Sequence, residues 1–328
     1  MKAELIEDTS SDLTVVNAAR VSMNKESVVF TYRKDKPKGS DEGLLGYLSN
    51  EDHWTPYSHP RETFIFSPKH FRGEVSAEQR TGMVCKEIDG KLKVRHSLWG
   101  WAKILPTLAL YTNLAECIAR ELTLLYPECC KALGIDYTDA VDKDVQYRHI
   151  PSDVERDPDY IDVTMREKVP IFVARQRFKH MVGFTYNEVS RRYVDDAPEF
   201  FTPDVWRSKP EGSIKQGSGS GVVEELAWKY GDTTAVLPIE TAYSDILYDV
   251  EWLYKNMLSS GVAPEQARMV LPQSMYTEYY VTGSLSAWAR AYKQRIDAHA
   301  QVEIQDLAKQ WGDISAPLYP ESWKALTQ

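Results

Sequence analysis

The strongest constraint on the fold is an apolar pattern with helical spacing in the second half of the chain. It is formed by Ile239, Tyr243, Ile246, Leu247, Val250, Leu253, Tyr254 and Met257. This spacing predicts an amphipathic helix that ends near Gly261, because glycine commonly follows the last helical residue. A short helix should begin at Pro264 and end at Pro272, since proline suits a helix start and not its interior. A long final helix should extend from about Ser284 to Trp311.

Shorter patterns of both kinds precede these helices. Glu62–Phe66 has the pattern of a strand, and Pro170 should be the first residue of a helix that reaches about Met181. A further helical pattern is formed by Leu108, Tyr111, Leu114, Ala115, Ile118, Leu122 and Leu125. Helices dominate the second half and strands lie mostly in the first half, which predicts an α+β fold.

Charge and hydropathy exclude several classes of protein. The 328 residues include 39 Lys+Arg and 48 Asp+Glu, a formal net charge of −9. No apolar run approaches the roughly 18 residues of a membrane span, and the N-terminus lacks the apolar region of a secretory signal. Net acidity argues against general nucleic-acid binding. We therefore expect a soluble, cytoplasmic protein with no membrane or nucleic-acid partner.

The cysteines and histidines do not have metal-ligand spacing. The four cysteines are Cys85, Cys117, Cys129 and Cys130, and the seven histidines are His53, His59, His70, His96, His149, His180 and His299. They contain no C-x-x-C pair and no H-E-x-x-H motif. The sequence therefore predicts no metal site.

Positive charge is concentrated in one short segment. Five cations stand there against a single acid, Glu188; they are Arg175, Arg177, Lys179, Arg191 and Arg192. The preceding Ile171–Ala174 is too apolar for an exposed helix start, so the cations should leave a buried segment and need an anionic partner. The nearby hydroxyl of Ser190, amide of Asn187 and carboxylate of Glu188 suit a nucleotide better than a bare anion. The alternative is a solvated basic helix face.

Several segments carry a family resemblance. Ala174–Met181 (ARQRFKHM) and Asn187–Tyr193 (NEVSRRY) resemble the signature of flavin-dependent thymidylate synthases, the ThyX family. Other segments resemble motifs of that family in the same order: Ala18–Ser22, His53–His59, Ala267–Pro272, Tyr276–Thr277 and Arg295–Ile304. Five positions differ from the family pattern: Lys179 and Met181 replace arginines, Ser58 replaces a glutamate, and Ser284 and Ser286 stand where asparagine and arginine often contact flavin.

The resemblance implies a fold and an assembly. It implies a ThyX-like fold, an antiparallel sheet with long helices, and a homotetramer whose flavin sites combine several subunits. Residues 1–67 and 162–328 would form one ThyX-like domain, and 68–161 would be a helical insertion in a long form of the family. A dense set of aromatic residues would suit the subunit interface: Tyr276, Tyr279, Tyr280, Trp288 and Tyr292.

The resemblance also implies an activity. The enzyme would be a methyltransferase that converts dUMP to dTMP, with 5,10-methylenetetrahydrofolate as carbon donor and NADPH as reductant of a bound FAD. Enzymes of this family need no cysteine nucleophile, and all four cysteines of this chain lie outside the matched segments. Two alternatives stay open: a catalytically idle flavin- or nucleotide-binding homologue, and a nucleic-acid-binding protein that uses the basic segment.

Site residues follow from the resemblance position by position. The residues expected to bind dUMP are Gln176, Lys179, Glu188, Val189, Ser190, Arg191, Arg192, Arg268 and Arg295. Those expected to contact FAD are Ser22, Thr55, Lys179, His180, Met181, Asn187, Glu188, Ser284, Ser286 and Arg290. Arg295 is the expected catalytic residue, because a cation favours an ionised uracil ring; the alternative is a helix-surface arginine. For His59 a structural hydrogen bond is the alternative role, and His299 should pack within the final helix.

Overall fold

A computed structural model describes residues 1–6, 11–68, 83–108, 113–138, 145, 147–151, 156–194, 196–210 and 217–328. These residues form helices and antiparallel strands, which confirms the α+β prediction. Tyr111 of the predicted helical pattern lies outside them. Among the described helices, none is both long enough and apolar enough to span a membrane.

The described part of the chain has the following elements. The strands are β1 (Lys2–Leu5), β2 (Arg61–Phe66), β3 (Val84–Ile88), β4 (Lys91–Ser97), β5 (Tyr147–Ile150), β6 (Asp162–Pro170), β7 (Phe184–Glu188), β8 (Glu225–Tyr230), β9 (Thr233–Pro238) and β10 (Tyr276–Ser284). The helices are α1 (Asp12–Arg20), α2 (Asp41–Asn50), α3 (Leu98–Leu108), α4 (Asn113–Leu125), α5 (Pro127–Leu133), α6 (Ile171–Arg177), α7 (Ile239–Ser259), α8 (Pro264–Ala267), α9 (Leu285–Arg295), α10 (Val302–Leu318) and α11 (Pro320–Thr327). Single 3-10 turns are formed by Val21–Met23, Pro56–Ser58 and Arg268–Val270.

The first sheet has the strand order β1-β6-β10-β7, with every pair antiparallel. The two central strands pair along their full length, from Tyr276 opposite Pro170 to Ser284 opposite Asp162. Helices α6, α9, α10 and α11 contribute to its apolar core, in which Trp288 and Trp311 are fully buried. This sheet therefore joins β1, from residues 1–67, to β6, β7 and β10, from residues 162–328, which are the two parts of the chain expected to form the ThyX-like domain.

The second sheet has the order β3-β4-β2-β5, and its core includes side chains from α1 to α5. Three of its strands lie within 68–161, the segment predicted to be helical, so that description is wrong in part. The fourth strand, β2, precedes this segment and pairs with both β4 and β5. The described parts of the segment are thus joined to the preceding chain by backbone hydrogen bonds.

Two helix predictions need correction at their ends. The helix after Pro170 ends at Arg177 rather than Met181. Gly183 adopts a left-handed φ of +85° there, and a Cβ at this position would lie 2.9 Å from the Ala287 Cβ. The turn between α6 and β7 thus needs glycine to reverse the chain against α9. Tyr186 stabilises it, since its hydroxyl donates to the carbonyl oxygen of His180 at 2.6 Å.

The predicted final helix is two helices, α9 and α10, separated by residues 296–301. At the break, the Asp297 carboxylate accepts a hydrogen bond from the backbone N–H of His299 at 2.8 Å, a local turn that competes with the helix. The break lets Trp288 of α9 pack against Trp311 of α10, with ring centroids 5.6 Å apart. His299 is consequently exposed in the turn and does not pack within a helix.

Helix α7 (Ile239–Ser259) confirms the predicted amphipathic helix and ends close to the predicted Gly261. On its predicted apolar face Ile246 and Leu253 are 42% exposed, and on the opposite face Trp252 is 59% and Tyr248 70% exposed. By contrast, the aromatic set proposed for an interface is mostly internal, since Tyr279, Tyr280 and Trp288 are buried. That part of the interface prediction is wrong, and α7 is one of the elements that carry exposed apolar side chains.

Candidate functional site

Buried polar contacts hold the two sheets together at the candidate site. Nδ1 of His59 lies 2.7 Å from the hydroxyl of Thr282 on β10, and its Nε2 lies 3.1 Å from Oδ1 of Asn187 on β7. Because that amide oxygen can only accept, Nε2 carries the ring proton. Burial is the main reason that the pKa of His59 falls to about 4. The neutral ring therefore positions Asn187 on β7, which favours the structural role for His59.

A first cavity, of about 350 Å³, lies where β7 ends beside β6 and β10. Five residues expected to bind dUMP line it: Glu188, Val189, Ser190, Arg191 and Arg268. The backbone N–H of Val189 donates to the carbonyl of Glu278 at 2.8 Å, and that of Ser190 to the carbonyl of Ser22 at 3.1 Å. The second half of the signature is thus held between β10 and the Val21–Met23 turn.

The first cavity is lined by both cations and carboxylates; the cations are Lys168, Arg191 and Arg268, and the carboxylates are Glu188, Asp196, Glu199 and Glu278. Within the described residues, neither Arg191 nor Arg268 forms a salt bridge; Arg191 Nη1 donates to the carbonyl of Asp196 at 2.5 Å. The Thr277 hydroxyl donates to Glu188 at 2.7 Å. Desolvation raises the pKa of Glu188, and the hydrogen bond from Thr277 opposes this. The cavity therefore offers charge to an anion and a hydrogen-bond acceptor to a polar ring.

A second cavity, of about 910 Å³, lies at the other end of β7. Five residues expected to contact FAD line it: Thr55, Met181, Ser284, Ser286 and Arg290. Aromatic side chains of Trp54, Phe184 and Tyr186 also line it. Its volume is within the range of sites for small-molecule cofactors, and the mixture of apolar rings and a few polar groups is typical of them.

Charged residues absent from every matched motif stand behind the second cavity. Arg61 of β2 and Arg95 of β4 both bond to Oδ1 of Asp162, at 3.2 and 2.7 Å. Both arginine side chains are only 1% exposed. Burial and the nearby Arg95 lower the pKa of Arg61 to about 10, although Asp162 opposes this. The sequence analysis did not identify these residues, because no short-range sequence pattern shows that β2, β4 and β6 lie close together in the fold.

One arginine of the basic segment is structural. The Arg177 side chain is fully buried, as is its partner Glu167, with Nε 3.3 Å from the carboxylate. Its guanidinium carbon lies 4.3–5.1 Å from the ring centroids of Phe184, Tyr186, Trp288 and Trp311. The segment therefore does not present all five cations on one surface.

A third group of site residues surrounds Arg295 at the end of α9. Its Nε donates to Nε2 of His180 at 2.8 Å, and Nη2 donates to the carbonyl of Gln176 at 3.0 Å. Burial, followed by Arg177, Arg295 and Arg290, lowers the pKa of His180 to about 4. His180 is therefore neutral near pH 7 and accepts this bond without removing the charge of Arg295. The Arg295 side chain is partly buried here, unlike a freely solvated surface arginine.

The residues expected to bind dUMP, and likewise those expected to contact FAD, do not all line one cavity. Residues expected to bind dUMP that do not line the first cavity are Gln176, Lys179, Arg192 and Arg295. Residues expected to contact FAD that do not line the second cavity are Ser22, Lys179, His180, Asn187 and Glu188. Ser22 instead donates to the backbone carbonyl of Glu188 at 3.0 Å, beside the first cavity. Lys179 is exposed in the turn after α6.

None of the four cysteines lines either cavity. Cys117, Cys129 and Cys130 are buried and Cys85 is half-buried, and none of the four is in a disulfide bond. Burial raises the pKa of Cys85, and also those of Cys129 and Cys130. In the described part of the chain no group of three or more His, Cys, Asp or Glu side chains has the arrangement of a metal site.

Comparison with known proteins identifies relatives. A family model described as thymidylate synthase complementing protein matches residues 159–321. The flavin-dependent thymidylate synthase of Thermosipho africanus is 37% identical over 167 residues, which cover 51% of this chain and 68% of that protein. The enzyme of the same description from Aquifex aeolicus is 26% identical over 313 residues, covering 91% of this chain and 92% of that protein.

The extent of similarity differs among relatives. For several others the aligned region covers only 54–64% of the relative's own length. Among solved structures, the UMP/dUMP methylase PolB from Streptomyces cacaoi bound with 5-Br dUMP matches with a TM-score of 0.40 and 21% identity, over 99% of this chain and 94% of that chain. The Thermosipho africanus match, at 37% identity over more than two thirds of that protein, shows that this chain belongs to the flavin-dependent thymidylate synthase family.

Proposed function

We propose that the protein is a flavin-dependent thymidylate synthase that methylates dUMP to dTMP. The observation that carries this proposal is the arrangement around β7: five residues expected to bind dUMP line a cavity at one end of this strand, and five expected to contact FAD line a cavity at the other. The strand has five residues, so it spans about 17 Å. A nucleotide that extends from one end of the strand and a dinucleotide cofactor that extends from the other would therefore approach each other along it.

FAD is the flavin we propose for the second cavity. The lining offers apolar rings for an aromatic cofactor and the Arg290 guanidinium for a phosphate. Arg95 also lines this cavity, and its buried Nε has no hydrogen-bond partner among the described residues. When bound and reduced by NADPH, the flavin would supply the reducing equivalents for the methylation, with 5,10-methylenetetrahydrofolate supplying the carbon. Thr55 and the Ser284 hydroxyl would orient it against the start of α9.

In the first cavity the chain's own residues would hold dUMP by its two ends. Arg191, Arg268 and the Ser190 hydroxyl would bind the phosphate, because among the described residues no side-chain carboxylate accepts a hydrogen bond from them, and both arginines donate to backbone carbonyls only. Glu188 would accept from a ribose hydroxyl or the pyrimidine edge. Thr277 holds this carboxylate in place at 2.7 Å, so its orientation is set before the nucleotide binds.

Arg295 would act on the pyrimidine ring as the catalytic cation. It has no carboxylate partner among the described residues, and its hydrogen bond to neutral His180 leaves its charge available. A nearby positive charge stabilises negative charge that develops on uracil. Burial and Arg177 lower the pKa of Arg295, an effect that an anionic ring beside it would oppose.

A homotetramer would bring the separate groups together. Arg295 and Gln176 line neither cavity in one subunit, which fits sites composed of residues from several copies. The exposed apolar side of α7 offers a surface for such contacts. Light scattering of the purified protein should give four times the chain mass of 37.5 kDa. We also propose a cytoplasmic location, since four free thiols suit a reducing compartment.

The direct test of function is release of tritium from C5-labelled dUMP. The purified protein should be yellow, its flavin absorbance should be bleached by NADPH, and tritium release should require methylenetetrahydrofolate. A protein that binds flavin and dUMP but releases no tritium would be the idle homologue. Release without flavin would contradict the proposal.

Replacing Arg192 with alanine should weaken dUMP binding by about 1.5–3 kcal/mol, the contribution of a charged hydrogen bond. Its Nε lies 3.5 Å from the Ser190 hydroxyl, so it stands beside the proposed phosphate position. Isothermal titration with dUMP measures the change. Lys229→Ala, an exposed lysine on β8, is the matched control and should bind dUMP normally. Equal affinity in the Arg192 variant would contradict its assignment.

Alkylation of the native protein with iodoacetamide should leave its activity unchanged. The thiols are buried or half-buried, burial disfavours three of them as thiolates, and none lines either cavity. Mass spectrometry of the treated protein, with tritium release measured in parallel, checks this. Stoichiometric loss of activity with modification of one cysteine would point to a thiol nucleophile instead.

A further inference from the structure

The charge balance behind the second cavity is incomplete. Arg61 and Arg95 are both buried, and both bond to the same carboxylate oxygen of Asp162. One carboxylate neutralises one guanidinium, so the pair keeps one excess positive charge. Placing an uncompensated charge inside a protein costs several kcal/mol, and such a charge persists where something else benefits from it.

Arg61 is the better satisfied of the two arginines. Besides Asp162, it donates to the Thr185 hydroxyl at 2.9 Å and to the carbonyls of Ser58 and Gly183 at 3.3 and 3.4 Å. Arg95 bonds to Asp162 through Nη1, and among the described residues its buried Nε has no hydrogen-bond partner. The unsatisfied donor and the excess charge therefore belong to Arg95.

Arg95 lines the second cavity, whereas Arg61 does not. Within the described residues, the other charged side chains of this lining are Arg290 and Asp159. Asp159 is 43% exposed, and Lys86, which bonds to it at 2.8 Å, also bonds to Asp157 at 3.0 Å. The cavity wall thus presents more positive than negative charge, and an anionic ligand would complete its pairing.

Two positions of the cavity lining lack the cation that the family resemblance implies. Met181 and Ser286 also line the cavity, and both are neutral where the family resemblance leads one to expect arginine. Arg95 lies on β4, within 68–161 and outside every segment that carries the resemblance. We propose that Arg95 binds a phosphate group of the flavin nucleotide, so that the central segment supplies a cofactor-binding residue. This inference rests on the proposed flavin function.

The test compares three flavins that differ in phosphate content. Full-length protein stripped of flavin is titrated with FAD, FMN and riboflavin, with flavin fluorescence as the readout. Arg95→Gln should weaken FAD and FMN binding by about 10–100-fold, the effect of one lost charged hydrogen bond, and should leave riboflavin binding within about twofold. Arg95→Lys should give an intermediate loss, because a charge is kept without the planar fork.

Two further measurements separate binding from folding. Lys91→Gln changes an exposed cation on the same strand and should bind all three flavins like the wild type. Arg95→Gln leaves Arg61 and Asp162 as a balanced pair, so the Tm of flavin-free protein should not fall. The rise of Tm on adding FAD should nevertheless be smaller than in the wild type.

The outcomes distinguish this inference from the function on which it rests. If wild type binds FAD and Arg95→Gln binds it equally well, or loses riboflavin affinity to the same extent, the phosphate assignment is wrong. A lower Tm without flavin, combined with an unchanged ratio of FAD to riboflavin affinity, assigns Arg95 a structural role only. Wild type that binds none of the three flavins contradicts the proposed function itself, and this inference with it.

Discussion

Replacement of Arg177 by alanine is expected to lower the free energy of unfolding by about 3–5 kcal/mol, the usual result of breaking a buried ion pair from one side. Arg177 and Glu167 are both fully buried. Without the guanidinium, Glu167 would keep the hydrogen bond from the Tyr279 hydroxyl, at 2.5 Å, but would have no counter-charge. The four aromatic rings around the guanidinium would also lose a packing partner. Urea unfolding followed by circular dichroism measures the change.

The same helix offers a matched control. Arg175 is exposed two residues earlier, so Arg175→Ala should change stability by no more than about 0.5 kcal/mol. A double variant, Arg177→Met with Glu167→Gln, removes both charges and should recover part of the loss, because no uncompensated charge is then buried. If the free energy of unfolding of Arg177→Ala lies within about 1 kcal/mol of the wild-type value, the ion pair does not stabilise the fold to the extent expected here.

Lowering the pH from 7.5 to 5.5 should cost about 1.4 kcal/mol of stability for each of two buried histidines. Burial holds the pKa of both His59 and His180 at about 4 in the folded protein, against 6.5 in the unfolded chain. The unfolded state therefore takes up protons that the folded state refuses. This stability is fully present above pH 6.5, and it is lost progressively as the pH falls from 6.5 toward 4.

A single substitution isolates one of these histidines. His59→Gln keeps an amide donor near Asn187 and a similar volume, but it has no proton to gain. Its stability should fall by about 1.4 kcal/mol less than that of the wild type between the two pH values. Urea unfolding at pH 7.5 and 5.5 measures this difference. An equal loss in both proteins would show that His59 is not held neutral in the fold.

Local patterns accounted for much of the fold in advance. The helical spacing from Ile239 to Met257 and the strand pattern of Glu62–Phe66 appear in the structure as α7 and β2. Such patterns are readable because each reflects contacts between residues that are neighbours on one helix or strand face. Changes of chain direction were harder to predict: the short-range pattern continues from α9 into α10, and it does not show that the chain turns between them so that Trp288 packs against Trp311.

Residue type alone misjudged exposure in both directions. Tyr279 and Trp288 suited an interface by composition but are buried within the subunit, and Arg177 suited a ligand but is enclosed by four rings. Conversely, Leu253 on the predicted apolar face of α7 is 42% exposed. The sequence shows which face of an element is apolar, but not which neighbour covers it.

By itself, the sequence determined the secondary-structure class, the signature segments and the family, because these depend on residue identity and short-range spacing. Only the tertiary structure decided how the candidate residues divide between two cavities at the ends of β7, and that Arg61 and Arg95 share Asp162. The physical reason is that burial and charge pairing are set by which distant strands meet, and that pairing is a property of the whole packed chain.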